Sequence, residues 1–119
     1  MSQKRNKIEF ESFYNNLLCE LAKHASIFTK KRNKQNRIRI EDRRIFVATK
    51  KSGEDYKEIP IEFIQTTFES LLEKNEVSQT YLSKNLYVKR SAFIISAFSL
   101  LDEYIEYDEN NNSIKIVSN

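Results

Sequence analysis

The densest group of chemically active side chains in this sequence is a run of basic residues between positions 30 and 44. Lys and Arg neutralise phosphate charge, and the amides of Asn33, Gln35 and Asn36 can add hydrogen bonds to phosphate or sugar oxygens. The run therefore predicts a nucleic-acid-binding surface, although a solvated loop that confers solubility has the same composition. The basic positions are Lys30, Lys31, Arg32, Lys34, Arg37, Arg39, Arg43 and Arg44.

A second basic group, Lys89 and Arg90 followed by Ser91, stands at the start of a predicted helix. Cations at a helix N-terminus oppose the helix dipole, at a cost of roughly a few tenths of a kcal/mol. Their position therefore predicts an anion close by. That anion is either a bound phosphate or an Asp or Glu of the same chain.

The net charge of +3 is distributed unevenly along the 119 residues. Residues 1–59 hold 15 Lys and Arg against 8 Asp and Glu, a balance of +7. Residues 60–119 hold 5 against 9, a balance of −4. The front of the chain is thus the part suited to a polyanion, and the rear is suited to a basic partner.

Other chemistries find little support in the residue pattern. A single glycine, Gly53, cannot build a glycine-rich phosphate loop, and Cys19 with His24 falls short of the three or four ligands of a zinc site. The acids of 102–109 have no His or Cys beside them and indicate a hydrated surface. The sequence predicts no catalytic residue, no cofactor and no metal.

The lone cysteine excludes an internal disulfide, and the basic N-terminus has no apolar run behind it that would make a signal peptide. No stretch approaches the roughly 20 apolar residues that cross a bilayer. The sequence therefore predicts a cytoplasmic protein without a membrane segment.

The elements that must position these residues begin with a predicted amphipathic helix over 7–28. Its apolar stripe can pack on the chain's own core or form a dimerisation seam, and the first of these is favoured because the repeat lasts under three heptads. The stripe comprises Phe10, Tyr14, Leu17, Leu21, His24 and Phe28.

Residues 29–59 are predicted to form a basic loop and a small β element. Alternation in 37–40 and the apolar run 45–49 predict two strands joined by a turn at 41–44, and 56–59 adds a short third strand. Pro60 suits the first turn of a helix over 60–74.

Beyond this helix, 76–77 is predicted to be a short strand, and Ser78 to cap a second helix that ends near Asn85 in a left-handed conformation. A third helix is predicted over 89–103. Two strands, 104–107 and 113–117, then enclose the turn DENNN.

The order of elements in 58–117 resembles the winged helix-turn-helix superfamily. The segment SQTYLSKNLYVKRSAFIISAFSLLDEYIEY is similar to winged modules of bacterial restriction and mobile-element proteins, in which a helix opening with Arg-Ser leads into a strand ending in Ile-Glu. We therefore expect a single α+β domain over 1–119, in which an amphipathic helix and a small β-hairpin lead into a winged helix-turn-helix at 60–119.

The resemblance also implies site residues. In the superfamily the third helix enters the major groove and its first residues meet base edges. The resemblance thus implies base contacts from Lys89, Arg90 and Ser91. The further implied positions are Tyr81 and Lys84 toward phosphate, Ala92, Ser96 and Ser99 on the outward face of the third helix, and Asn110, Asn111 and Asn112 at the wing tip.

The acidic residues depart from this pattern. Asp102 and Glu103 end the third helix and Asp108 and Glu109 lie in the wing, where they would repel a duplex backbone. The leading hypothesis is a small non-enzymatic protein that binds double-stranded DNA, with a role in transcription regulation, a phage or bacterial defence. The alternative is a winged-helix protein-interaction module, a subunit, adaptor or inhibitor, that uses the acidic wing.

Overall fold

Two antiparallel sheets and four helices make up the computed structural model, which describes residues 2–117 and the side chains from Phe10 onward. The α+β class predicted from sequence is confirmed. Within the described residues, no helix is both long and apolar enough to cross a membrane. The elements in chain order are α1 (Ser2–Leu21), β1 (Ser26–Phe28), β2 (Gln35–Glu41), β3 (Arg44–Thr49), β4 (Lys57–Ile59), α2 (Ile61–Lys74), β5 (Glu76–Ser78), α3 (Gln79–Lys84), α4 (Ser91–Ser99), β6 (Ile105–Asp108) and β7 (Ser113–Ile116).

Helix α1 ends at Leu21, seven residues before the end of the helix predicted over 7–28. The N–H of His24 donates to the Leu21 carbonyl and tightens the final turn. Strand β1 then begins at Ser26 and pairs with β2. The prediction was wrong here because His24 and Phe28 continue the helical spacing by coincidence, whereas strand pairing buries Ile27 and leaves Phe28 half exposed.

The apolar stripe of α1 is buried in the chain's own core, as the favoured interpretation predicted. Each of its apolar side chains from Phe10 to Leu21 is at most 9% exposed. The Phe13 ring lies 4.6 Å from that of Phe68 in α2 and 4.8 Å from that of Phe98 in α4, measured between centroids. These side chains are therefore not available as a dimerisation seam.

The first sheet has the strand order β1-β2-β3-β4. Its central hairpin closes through Asp42 and Arg43, whose φ angles of 50° and 61° suit a type I′ two-residue turn. Strands β2 and β3 extend the predicted 37–40 and 45–49, and β4 matches the predicted strand at 56–59. Ile45 and Val47 of β3 are fully buried.

The rear half follows the predicted order of elements. Helix α2 ends at Asn75, which is left-handed with φ 67°, and the second sheet has the order β5-β7-β6. Ser78 caps α3 as predicted, since its Oγ accepts from the Tyr81 N–H at 3.0 Å. Asn85 was predicted to be left-handed but has φ −100°. The left-handed residues of this connection are Tyr87 and Arg90.

Helix α4 is shorter than the predicted 89–103 and is buried along most of its length. Seven of its nine residues are buried, including Ser91 at 6% and Ser96 at 3% exposure. Part of the cover comes from β1 and the loop after it, where the Lys30 N–H donates to Ser96 Oγ at 3.0 Å, and α1, α3, β6 and β7 also pack against the helix. Because all these elements surround it, α4 is a core helix.

Candidate nucleic-acid interface

An open cleft of about 400 Å³ lies between the loop after β1 and the start of α3 and α4. We call it the basic cleft. Four of its lining side chains are cationic, and no Asp or Glu is among the described residues that line it. The cations are Lys31, Arg32, Lys34 and Arg90.

The loop that carries three of these cations is held by its own hydrogen bonds. Thr29 is buried, and its Oγ1 and backbone N–H bond to the N–H and carbonyl of Lys34, each at 2.9 Å. The Asn33 N–H donates to the Thr29 carbonyl, also at 2.9 Å, with Asn33 left-handed at φ 55°. The Ser96 bond then fixes the loop to α4, so the three loop cations have a defined base.

Arg90 reaches the same cleft from the opposite side. It is the N-cap residue of α4, with φ 63°. The buried Val88 anchors the connection before it, because its N–H donates to the Leu82 carbonyl at 2.9 Å. Two basic groups more than fifty residues apart in the sequence thus share one cleft.

The rest of the lining is mostly polar and uncharged. Thr80 and Ser83 expose hydroxyls along α3, and Asn112 comes from the β6–β7 turn. The Asn112 amide donates to Gln79 Oε1 at 2.8 Å and accepts from the Tyr107 hydroxyl at 2.6 Å. Sequence reasoning had not assigned Gln79, Thr80 or Ser83 to the site, and no pattern signalled them because their relevance depends on the loop across the cleft.

None of the four cleft cations forms a salt bridge with any side chain of residues 10–117. Most of the uncharged side chains that share the lining of the cleft carry hydroxyls or amides. Four positive charges at the rim of one cleft repel each other, and a bound anion relieves that repulsion. The cleft is therefore chemically suited to phosphate. Lys30, the remaining predicted loop cation, instead has its ammonium 5.4 Å from the centroid of the Tyr107 ring.

Arg37 and Arg39 of β2 are held by acids and aromatic rings of the first sheet and of the connection between β3 and β4. Arg37 donates to the Gly53 carbonyl, with Glu54 3.7 Å away. Arg39 forms a 3.2 Å ion pair with Glu41. Both guanidinium groups also lie over the Tyr56 ring, at 5.5 and 4.8 Å from its centroid. These arginines already have partners.

The two arginines of the β2–β3 turn are also engaged. Arg43 donates to the Asn15 side chain of α1 and lies 5.7 Å from the Tyr14 ring centroid. The Tyr14 hydroxyl in turn donates to the Arg43 carbonyl at 2.8 Å. Burial raises the pKa of Tyr14, although the Arg43 charge opposes the shift. Arg44 lies 3.8 Å from Glu58. We call Arg37, Arg39, Arg43 and Arg44 the sheet arginines.

Several predicted contact residues lie elsewhere. Ser91 and Ser96 are buried, so the prediction of Ser96 on an outward face is wrong. Tyr81 is half buried with the Lys74 ammonium 5.3 Å from its ring centroid and does not line the basic cleft. The exposed Lys84 ends α3 and the exposed Lys89 lies on the α3–α4 connection, next in sequence to Ser83 and Arg90 of the cleft.

In the β6–β7 hairpin, the carboxylate of Asp108 is bonded to other residues of the same hairpin. Asp108 accepts from the N–H of Asn110 at 3.0 Å and pairs with Lys115 at 3.3 Å. Partial desolvation raises the pKa of Asp108, but the hydrogen bonds from Lys115, Asn110 and Asn111 outweigh it and lower that pKa. The hydrogen bond with Asp108 raises the pKa of Lys115. Glu106 and Glu109 remain exposed.

No group of three His, Cys, Asp or Glu side chains that could hold a metal ion occurs in the part of the chain that the structure describes. No protein-family model, curated protein or solved structure matches this chain.

Proposed function

We propose that this protein binds double-stranded DNA without catalysis, by holding phosphate groups in the basic cleft. The observation that carries the proposal is the meeting of Lys31, Arg32, Lys34 and Arg90 around a lining that contains no carboxylate among the described residues. Charge neutralisation of this kind supplies most non-specific affinity for nucleic acid.

The proposed architecture is a modified winged helix-turn-helix whose third helix does not enter the major groove. Its predicted outward residue Ser96 is bonded to Lys30, so the front segment occupies the face that would meet base edges. Contacts then come from the rim of the cleft. Backbone contacts carry little sequence information, so we expect weak sequence selectivity. The proposed setting remains a phage, defence or transcriptional one, supported by the sequence resemblance.

Fluorescence anisotropy with a labelled random duplex tests the proposal. At about 50 mM salt we expect binding at micromolar protein, with log K falling linearly against log salt concentration. The triple variant Lys31→Gln, Arg32→Gln and Lys34→Gln should lower the salt slope by up to about 0.9 for each lost phosphate contact.

A matched control removes the same charge from paired cations. Arg39→Gln, Arg44→Gln and Lys57→Gln break the ion pairs with Glu41, Glu58 and Asp55 and leave the cleft intact. The control should bind nearly as the wild type does. Absence of binding by the wild type at low salt, or equal losses in both triple variants, would contradict the proposal.

A second candidate function is supported by a different face. An apolar groove of about 390 Å³ between α1, α2 and the second sheet exposes Leu72 and Tyr104. An adjoining pocket is lined by Asp102, Glu103 and the ion pair between Glu20 and Lys23. An apolar groove with an excess of acids at its rim suits a basic amphipathic partner. Nuclease-resistant recovery of one stoichiometric partner, lost in Leu72→Ser but kept in Lys34→Gln, would support this function.

A further inference from the structure

Tyr87 is the most exposed large hydrophobic side chain of the described residues, with 78% of its surface accessible. Its φ of 54° is left-handed, a region that bulky side chains rarely adopt. The Tyr87 ring therefore points into solvent from the short α3–α4 connection, in a backbone conformation that is unfavourable for a bulky residue.

The neighbours of Tyr87 fix this outward position. Val88 is 2% exposed and bonded through its N–H to the Leu82 carbonyl, and Leu86 is packed against the core with its N–H 3.3 Å from the Tyr81 carbonyl. Because the residues on both sides are anchored, Tyr87 cannot turn inward without displacing core contacts.

The connection that carries Tyr87 begins and ends at the basic cleft. Ser83, four residues before it, and Arg90, three residues after it, both line the cleft. Lys84 at the end of α3 and Lys89 on the connection are exposed. The sequence contains no Asp or Glu between Glu76 and Asp102, so nothing acidic on this stretch competes for its cations.

We infer that Tyr87 stacks on an unpaired nucleobase of a strand whose phosphates are held in the basic cleft. The inference rests on the proposed function and adds to it a preference for strands with accessible base faces. Proteins that bind single strands combine a basic groove with aromatic side chains in this way, and every base offers a π-face. In an intact duplex those faces are covered by stacking, so the preferred ligands are single strands, frayed ends and bulges.

A protein ligand fits this position less well. The exposed residues nearest to Tyr87 in the sequence are Lys84, Asn85 and Lys89, and all three are polar. The core of a protein interface is depleted of charged residues, particularly Lys. A planar anionic ligand unit, a nucleotide, satisfies both the ring and the cations.

The sequence offers a clean reporter, because it contains no tryptophan. Tyr87→Trp introduces a single indole at the proposed stacking position. Its fluorescence is titrated with oligothymidylate, oligouridylate and a blunt random duplex, while anisotropy of the labelled nucleic acid measures binding independently. We expect strong quenching by the single strands and little by the duplex. Quenching by oligothymidylate alone supports the inference with DNA as the ligand. Quenching by both oligothymidylate and oligouridylate supports it with a site that accepts DNA and RNA.

Affinity supplies the second readout. Tyr87→Ala should weaken single-strand binding about tenfold and leave duplex binding unchanged, and Tyr87→Phe should bind as the wild type does because the ring is kept. Tyr104→Ala removes another exposed tyrosine, on the apolar groove, and should have no effect. Circular dichroism of each variant verifies folding.

The outcomes separate the two proposals. If anisotropy shows binding of both duplex and single strands but Tyr87→Trp is not quenched, or Tyr87→Ala binds single strands as tightly as the wild type, the inference is overturned and the cleft proposal stands. If neither single strand nor duplex binds at low salt, both are overturned.

Discussion

The basic cleft and the first sheet each carry four of the predicted cationic site residues, but among residues 10–117 only the cations of the sheet have ion-pair or aromatic partners. The sheet arginines are engaged by Glu41, Glu54, Glu58, aromatic rings and backbone or amide oxygens. The cleft cations have no ion pair with any side chain of residues 10–117. A count of Lys and Arg along 30–44 treats both groups alike, and only the positions of the carboxylates separate them.

The difference follows from local geometry. In the β2–β3 hairpin, cross-strand and same-strand neighbours bring acids within reach of the arginines, as with Arg39 and Glu41. The loop after β1 contains no acidic residue and faces α3 and α4, which contain none either. Exposed ion pairs contribute little stability, a median of about 0–1 kcal/mol. Their consequence here is electrostatic, since they cancel charge that a phosphate would otherwise meet.

The largest expected effect comes from placing a carboxylate in the basic cleft. Arg90→Glu removes a phosphate contact and places a carboxylate among the loop cations, so we expect duplex affinity to fall by about tenfold or more. Anisotropy at low salt measures it. Arg39→Glu makes the same charge change on the sheet and should cost much less. Equal losses would mean that the two groups do not differ.

The next effect concerns the bond that holds the cleft loop in place. Ser96→Ala leaves the Lys30 N–H without its acceptor and should lower the free energy of unfolding by about 1 kcal/mol. Loop cations that are less well fixed should also bind DNA more weakly. Urea denaturation and anisotropy report the two effects.

Ser99→Ala is the control for this variant. Its hydroxyl donates to the Ile95 carbonyl at 2.7 Å, a hydrogen bond within α4 and not to the loop. Its loss should change stability by no more than about 0.5 kcal/mol. If Ser96→Ala is equally mild, the loop is held by its own bonds alone.

A smaller effect on duplex affinity is expected when acids that pair with the sheet arginines are neutralised. Glu41→Gln with Glu58→Gln releases Arg39 and Arg44 from their ion pairs. Duplex affinity should rise, and the salt slope should steepen by up to about 0.9 for each arginine that gains a phosphate contact. Glu69→Gln with Glu73→Gln adds the same charge on α2, where neither acid pairs with an arginine of residues 10–117. An equal rise in duplex affinity for this pair would show that net charge alone explains the effect.

The smallest effect belongs to the β6–β7 hairpin, where Asp108 and Lys115 repeat the paired arrangement of the sheet. The pKa of Asp108 is lowered from 3.8, so its contribution to stability is present above that unfolded value and disappears as the pH falls through the folded pKa. The pKa of Lys115 is raised from 10.5, so its contribution is fully present below that value and disappears as the pH rises through the folded pKa.

Asp108→Asn should therefore slightly lower the melting temperature near neutral pH. The difference from the wild type should disappear below the folded pKa of Asp108. Glu109→Gln changes an exposed acid of the same hairpin that has no such partner among the described side chains, and should leave the melting temperature near neutral pH almost unchanged. A pH-independent difference for Asp108→Asn would show that the amide geometry, and not the charge, matters.

Much of the fold could be predicted because it follows from local patterns. Strand alternation located β2 and β3, the cap at Ser78 began α3, and a run of turn residues marked the β6–β7 hairpin. These signals act between residues a few positions apart. The end of α1 could not be found this way, because pairing with β2 outweighs the helical spacing of His24 and Phe28.

The site was predicted in part. The sequence by itself determined that the cations are concentrated near the front and that a second basic group precedes the third helix. Only the tertiary structure decided which of them share a cleft, which are cancelled by neighbouring acids, and that β1 and the loop after it bury the face of α4 that carries Ser96. The physical reason is that the charge and the apolar periodicity of a segment depend on its own residues alone. The exposure of its side chains and their ion pairs depend on the distant segment that packs against it.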